Sequence, residues 1–278
     1  MELSRLNSGS TTLRTLVALA ALLTGSQAHA TGTTDWTAAM PRQFGVGGVV
    51  VVAPKYEGSK DYRVIGFPLI VPSGMAFGET GRVQFRGPDD LRLRVLDFNG
   101  FEVGPLLGWR FGRNEGDSRR LAGLGDVDGG FVAGGFVAYR AGAFRAFVSY
   151  HRQVSGDDGG ALVRFGAEGR TRLTPSLSLL ATAGASYADG TYMTSYFSIS
   201  PLQSAASLAG LPVYDAGSGF KDVFVGLSAD IRLAPRWSLK LSGRYARLIG
   251  DAADSPIVES ENQFTGGIGL TYSFDIGR

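Results

Sequence analysis

The chain has 278 residues, 27 Lys and Arg against 25 Asp and Glu, and no cysteine. Lack of thiols excludes disulfide staples, cysteine-ligated metals, thiol nucleophiles and a lipid-modified N-terminal cysteine. A net charge of only +2 gives no sign of the clustered basic face of a nucleic-acid binder.

The first stretch reads as an address. Arg5 and Arg14 precede an apolar run from Leu16 to Leu23, and Ala28-His29-Ala30 offers a small-x-small cleavage site. These are the parts of a Sec signal peptide, with cleavage expected after Ala30. The run is far shorter than the about 20 residues a membrane-spanning helix needs. Residues 31–42 then read as a periplasmic N-terminal segment. No later window approaches such a helix, so export leads to the periplasm, the outer membrane or the medium.

From residue 43 onward the hydrophobic period is two. Strands are expected near 43–53, 62–71, 75–86, 90–97, 101–111, 129–141, 143–153, 160–173, 176–187, 220–233, 236–248 and 263–275. The pattern is clearest in the tenth, where Val223, Val225, Leu227, Ala229, Ile231 and Leu233 alternate with polar or small neighbours, Phe224 excepted. Successive strand side chains point to opposite faces, so each segment has one apolar and one polar face. Most of these runs exceed the about 5–6 residues usual in soluble sheets and suit tilted strands crossing a bilayer.

The links sort into two kinds. Pro72-Ser73-Gly74, Phe98-Asn99-Gly100, Gly142, Thr174-Pro175 and Ala234-Pro235 are tight turns. The links 54–61, 112–128, 154–159, 188–219 and 249–262 are longer, and 87–89 is a short exception. Short periplasmic turns alternating with long extracellular loops define the expected fold: an all-β, transmembrane, antiparallel up-and-down barrel of about 12 strands over 43–278. A soluble β-sandwich would also alternate, but with shorter strands and without aromatics such as Trp109, Phe131, Tyr187, Trp237 and Tyr272 gathered at strand ends.

If the apolar face meets lipid, the other parity lines the lumen. Arg92, Arg94, Arg110, Arg140, Arg145, Arg164, Arg170, Arg232, Lys240 and Arg244 then point inward, with Glu102, Glu168, Asp222 and Asp230. The plain expectation is a salt-bridged, watery interior; the sharper one is an anion-preferring pore. A barrel of this size is narrow, and loop 188–219 is long enough to fold inward and block it.

No catalytic, cofactor or metal site is expected. Past residue 30 the only histidine is His151, with Ser149 two residues away on the same face and no evident third group. One histidine without cysteine makes a poor zinc site, and Gly45-Val46-Gly47-Gly48 lacks the spacing of a phosphate cradle. Asp157-Asp158 and the Asp251, Asp254 pair fall in expected loops, where solvated turns are the default.

Several segments together resemble the MipA/OmpV family: Gly45 to Gly48, then Ala53-Pro54-Lys55-Tyr56-Glu57-Gly58-Ser59, Asp61-Tyr62-Arg63 and Phe67-Pro68 near the start. Nearer the end, Tyr192 to Ser207, Tyr214 to Gly219, Trp237 and above all Arg247 to Val258 follow that family's pattern. Phe197-Ser198-Ile199-Ser200 departs from the family's usual Phe-Gly-Val-Ser. The resemblance implies an outer-membrane scaffold linking a lytic transglycosylase to a penicillin-binding murein synthase in peptidoglycan remodelling. Relatives that look like permeability proteins or adhesins keep a pore and a surface receptor open as alternatives. Within the motifs, Tyr56, Glu57 and Gly58 of the first expected loop and Asp251, Asp254, Ser255 and Pro256 of the last are candidate loop-surface residues. First and last hairpins are neighbours in a closed barrel, so the two motifs are expected to form one surface.

Overall fold

A computed structural model describes residues 43–72, 83–156 and 159–275. The expected signal peptide, the periplasmic segment, Ser73-Gly74 and the Asp157-Asp158 pair lie outside the described residues. Strands run as β1 (Gln43–Pro54), β2 (Tyr62–Pro72), β3 (Val83–Gly87), β4 (Asp90–Leu93), β5 (Leu96–Phe98), β6 (Phe101–Arg110), β7 (Gly130–Ala141), β8 (Phe144–Gln153), β9 (Ala161–Thr174), β10 (Leu177–Ala188), β11 (Gly219–Ala234), β12 (Trp237–Leu248) and β13 (Asn262–Asp275).

They form one antiparallel sheet in the order β2-β1-β13-β12-β11-β10-β9-β8-β7-β6-β4-β3, with β5 also paired to β6. The β1–β13 ladder, Gln43 opposite Asp275 through Val52 opposite Gly266, joins the first strand to the last and curls the sheet into a barrel wall. The described ladders end at β2 and β3.

The expected period decides the faces. Val223, Val225 and Leu227 are exposed while Asp222 and Phe224, of the opposite parity, are buried, so charge lies inside and aliphatic side chains outside. That inversion is what a lipid solvent selects. Outward aromatics pair at both rims. Phe101–Tyr139 (4.8 Å) and Trp237–Tyr272 (5.0 Å) sit at the turn end; Trp109–Phe131 (5.0 Å) and Tyr187–Phe220 (5.7 Å) sit at the loop end. Aromatic girdles of this kind anchor a barrel at the two interfaces.

Two expectations shift. The segment expected as one strand at 90–97 is β4 and β5, interrupted at Arg94–Val95. Its partner strand carries Pro105, which has no N–H to donate at that level. Of the strand expected at 75–86, the part from Val83 is described. Between β5 and β6, Asn99 (φ 49°) and Gly100 (φ 86°) form the two-residue hairpin turn that an Asn-Gly pair favours.

At the other end the loops fold into a packed cap. It contains α1 (Gly190–Phe197), α2 (Pro201–Ala206), α3 (Gly250–Asp254) and short 3₁₀ turns at Glu115–Asp117 and Arg119–Leu121. The Asp189 carboxylate caps α1 by accepting from the Tyr192 N–H at 2.8 Å, and Ser200 with Gln203 makes a capping box on α2. The cap has its own core, with Leu121, Tyr192, Met193, Phe197, Ile199, Leu248, Ala252 and Ile257 all buried.

Candidate functional site

The inner wall of β6 to β9 carries a continuous chain of ion pairs. Glu102 accepts from Arg140 (2.5 and 3.0 Å), Arg145 (3.0 Å) and Arg94 (3.4 Å). Arg145 reaches on to Glu168 (3.1 Å), which also takes a paired bond from Arg86 at 2.7 and 3.0 Å. Low-dielectric burial makes each unpaired charge costly, so alternating signs are what hold this wall together. One level along, Phe147 and Phe224 flank the glycine pair Gly166 and Gly184 on the intervening strands. A Cβ on Gly184 would lie 2.7 Å from the Phe224 ring, so glycine there makes room for the ring to lie across the wall. This explains the one break in the β11 alternation: Phe224 faces inward, with the Arg244 guanidinium 4.1 Å over its ring.

The β3–β4 hairpin is not simply part of the wall. A Cβ on Gly108, on the inner face of β6, would collide with the Asp89 backbone, so the hairpin tip lies directly over that face. The Trp109 backbone N–H donates to the Pro88 carbonyl at 2.9 Å. Asp89 then reaches across to β9, accepting both arms of the Arg164 guanidinium at 2.9 and 2.7 Å. Asp90 accepts from Arg92 twice, each at 2.7 Å. The expected surplus of lumenal bases omitted these partners. Asp89 read as part of a short extracellular link, whereas it folds into the lumen and brings acid to it.

Ser149 and His151 do meet, with Nε2 2.9 Å from the serine oxygen. The other ring nitrogen faces the Asp89 carbonyl oxygen at 3.1 Å, and the Asp90 carboxylate lies 3.8 Å from Nε2. In a nucleophilic triad the carboxylate orients the nitrogen remote from the serine. Here that nitrogen holds a backbone carbonyl, Arg92 also donates to Ser149 (3.2 Å), and both residues are fully buried. The pair fastens the hairpin tip to β8.

At the loop end α1 packs against residues of the barrel mouth. Arg110 donates to the carbonyls of Gly159 (2.8 Å) and Gly160 (3.1 Å) and lies 4.9 Å over the Tyr192 ring. The Tyr192 hydroxyl donates to Glu57 at 2.6 Å, and Glu57 also takes the Lys221 ammonium at 2.7 Å. Lys221 pairs with Asp222 as well, which accepts from Ser186 at 2.9 Å. Burial beside Glu57 holds the Tyr192 hydroxyl well above the usual phenol range, and burial lifts Tyr196 to about 12.

The two loop motifs lie against each other. The Tyr56 hydroxyl donates to Glu259 at 2.8 Å, the Gly58 N–H to the Gln263 side chain at 3.1 Å, and the Glu259 N–H to the Gly58 carbonyl at 2.7 Å. Tyr56, Gly58 and Ser255 are interior to the cap rather than on its surface, and Ser255 donates to the Phe197 carbonyl at 2.6 Å. Turn residues read as exposed in sequence, but here Tyr56 packs with Leu121, Leu124, Ile199, Leu211 and Ile257 in the core of the cap. Asp251 and Asp254 stay exposed, Glu57 and Pro256 are half-buried, and Asp251 accepts from the Gly217 N–H at 2.8 Å.

Of the remaining expected lumenal residues, Lys240 and Asp230 are 3.8 Å apart and Arg244 is 3.8 Å from Asp222. Arg170 and Arg232 lie toward the turn end and make no ion pair among the described residues. Sequence reading missed Arg86, Asp89, Asp90 and Lys221. Alternation would turn Lys221 outward beside an inward aspartate; the bulge that pairs Tyr187 with Phe220 and Ser186 with Asp222 turns it in instead. For the other three the inward fold of the hairpin leaves no mark in the periodicity.

The sequence profile of the family described as MltA-interacting protein MipA matches residues 46–274. The chain belongs to the MipA family. Among curated relatives of this MipA-family chain, outer membrane protein Omp26La of Vibrio anguillarum is 31% identical over 99 residues, covering 36% of this chain and 37% of that one. Outer membrane protein OmpV of Vibrio cholerae serotype O1 is 32% identical over 96 residues, covering 34% and 36%. The chain thus spans about a third of the length of the curated relatives it matches. Among solved structures, the NanC porin aligns over 83% of this chain and 98% of its own, at 10% identity and a TM-score of 0.38. OmpT of Vibrio cholerae aligns over 84% and 97%, at 10% and 0.36. Scores this low add no weight to the fold, which rests on the strand ladders. The MipA-family protein is an outer-membrane β-barrel.

Proposed function

We propose that this protein is a sealed, non-enzymatic scaffold of the outer membrane that links a lytic transglycosylase to a penicillin-binding murein synthase. The observation that carries this reading is the hairpin in the lumen: the β3–β4 tip is clasped to β9 by Asp89 and Arg164, with α1 packed over the loop end. A barrel so occupied is poor at passing solutes and good at anchoring a partner. The family description names MltA as its partner. The matching partner surface here is the turn end, where the tight turns at Thr174–Leu177 and Ala234–Trp237 lie with Arg170 and Arg232, which make no ion pair among the described residues.

Two measurements on the refolded mature chain test it. In a planar bilayer the folded barrel is expected to be silent, and on a column it is expected to retain a lytic transglycosylase and a murein synthase. Steady anion-selective steps that fall when Arg232 and Arg244 are neutralised would replace this reading with the small pore.

A surface receptor is the second reading, and one observation favours it. Leu202 and Leu208 on the 188–219 loop are 81% and 83% exposed, unlike the packed apolar residues around them. Loss of surface binding after deletion of that loop, with the barrel intact, would support it.

A further inference from the structure

The outward face of β12, β13 and β1 is not evenly filled. Across these strands Trp237, Tyr272 and Val46 form one row, and Leu239, Leu270 and Gly48 form the next toward the membrane centre. Val46 and Val50 project outward on either side of Gly48, which has no side chain to fill the gap between them. The result is an apolar groove of ≈ 770 Å³ open to the membrane. In lipid there is no water to release from such a groove, so what fills it gains dispersion contacts by fitting its shape.

The turn end of the groove is polar. Arg236 donates from Nη1 to the Tyr272 hydroxyl at 3.3 Å, and its own carbonyl accepts from the Ser273 N–H at 2.8 Å. The second bond ties the turn to β13, and so places the guanidinium beside the Trp237–Tyr272 pair at the interfacial level. Tight turns face the periplasm in this topology, so this is the phospholipid leaflet. A guanidinium has five donors in a fork that matches phosphate oxygens.

We infer that this face seats one phospholipid with an anionic headgroup, an acyl chain lying in the groove over Gly48 and the phosphate on Arg236. The occupant is a lipid rather than free phosphate because most of the site is apolar and faces the membrane. It does not depend on the scaffold reading, only on the barrel's place in the bilayer.

The test uses the full mature barrel, reconstituted in vesicles of equal phosphatidylglycerol and phosphatidylcholine, then transferred to mild detergent for native mass spectrometry. The wild type is expected to retain one phospholipid, enriched in phosphatidylglycerol. A Cβ on Gly48 would meet nothing within 4 Å, so Gly48→Leu is expected to fold normally, fill the groove and lower retention at least tenfold. Arg236→Gln is expected to keep the lipid and lose the preference for phosphatidylglycerol. A bare wild-type barrel, or equal retention in a folded Gly48→Leu, overturns the proposal. A wild-type dimer that Gly48→Leu dissociates overturns it in favour of a second copy of the chain in the groove.

Discussion

Asp89 and Arg164 face each other inside the barrel as a two-armed carboxylate–guanidinium pair, although 75 residues separate them in sequence. With the Arg86–Glu168 pair beside it, it joins the β3–β4 hairpin to β9. Removing one partner strands the other in a low-dielectric interior.

The pair is partly buried, with 18% and 15% of the two side chains exposed, so Arg164→Ala is expected to destabilise the barrel by about 2 kcal/mol, less than breaking a fully buried pair costs. Arg164→Lys keeps the charge but loses the fork, and is expected to cost less. Urea unfolding of the refolded protein measures both. If the hairpin is released from the wall, the Arg164→Ala barrel also shows brief openings in a planar bilayer that the wild type lacks.

Tyr56→Phe removes the hydroxyl that donates to Glu259 at 2.8 Å. A hydrogen bond to a charged acceptor contributes about 1.5–3 kcal/mol, so the cap is expected to loosen while the strands hold. Limited trypsin digestion reads this out as faster cleavage after Lys60 and Arg120, both beside the affected contacts.

Acid is expected to act on the same corner. Burial by itself would raise the Glu259 carboxyl, but hydrogen bonds from Lys60, Tyr56 and Ser118 outweigh it and hold the group below the ordinary glutamate range. A depressed carboxyl stabilises the fold above its unfolded value, about 4.3, and that contribution is lost as pH falls through the folded value. Trypsin is inactive there, so pepsin digestion between pH 5 and 2 is the measurement, with cleavage of the 249–261 loop rising as pH falls. A Glu259→Gln cap is expected to show little of this dependence.

Gly58→Ala combines two penalties. Gly58 has φ +93°, and a Cβ there would lie 2.6 Å from Val258 Cγ2. The left-handed conformation alone costs about 1–2 kcal/mol for an L-residue, and the contact adds to it. Gly116→Ala is the control, since its added Cβ meets nothing within 4 Å. Thermal unfolding of the cap is expected to shift for the first and not for the second.

Strand placement was legible because it depends on local alternation. β8, expected at 143–153, is Phe144–Gln153, and β11, expected at 220–233, is Gly219–Ala234. Glu102, Arg145, Glu168 and Asp222, expected to point inward from the same period, are each buried. Asp89 and Asp90 were not legible in this way, because a hairpin that folds over Gly108 leaves the register that parity assumes. Nor was the burial of Tyr56 and Ser255, whose cover comes from loops far along the chain.

By itself, then, the sequence determined the class of protein: strand length, alternation and aromatic rims are properties of single segments meeting a lipid solvent, and each segment carries them alone. Only the tertiary structure decided whether the lumen is occupied and the loops are closed. Those outcomes depend on pairs such as Asp89 with Arg164 and Tyr56 with Glu259. The free energy of such a pair exists only once the barrel has brought both members out of water and within reach of each other.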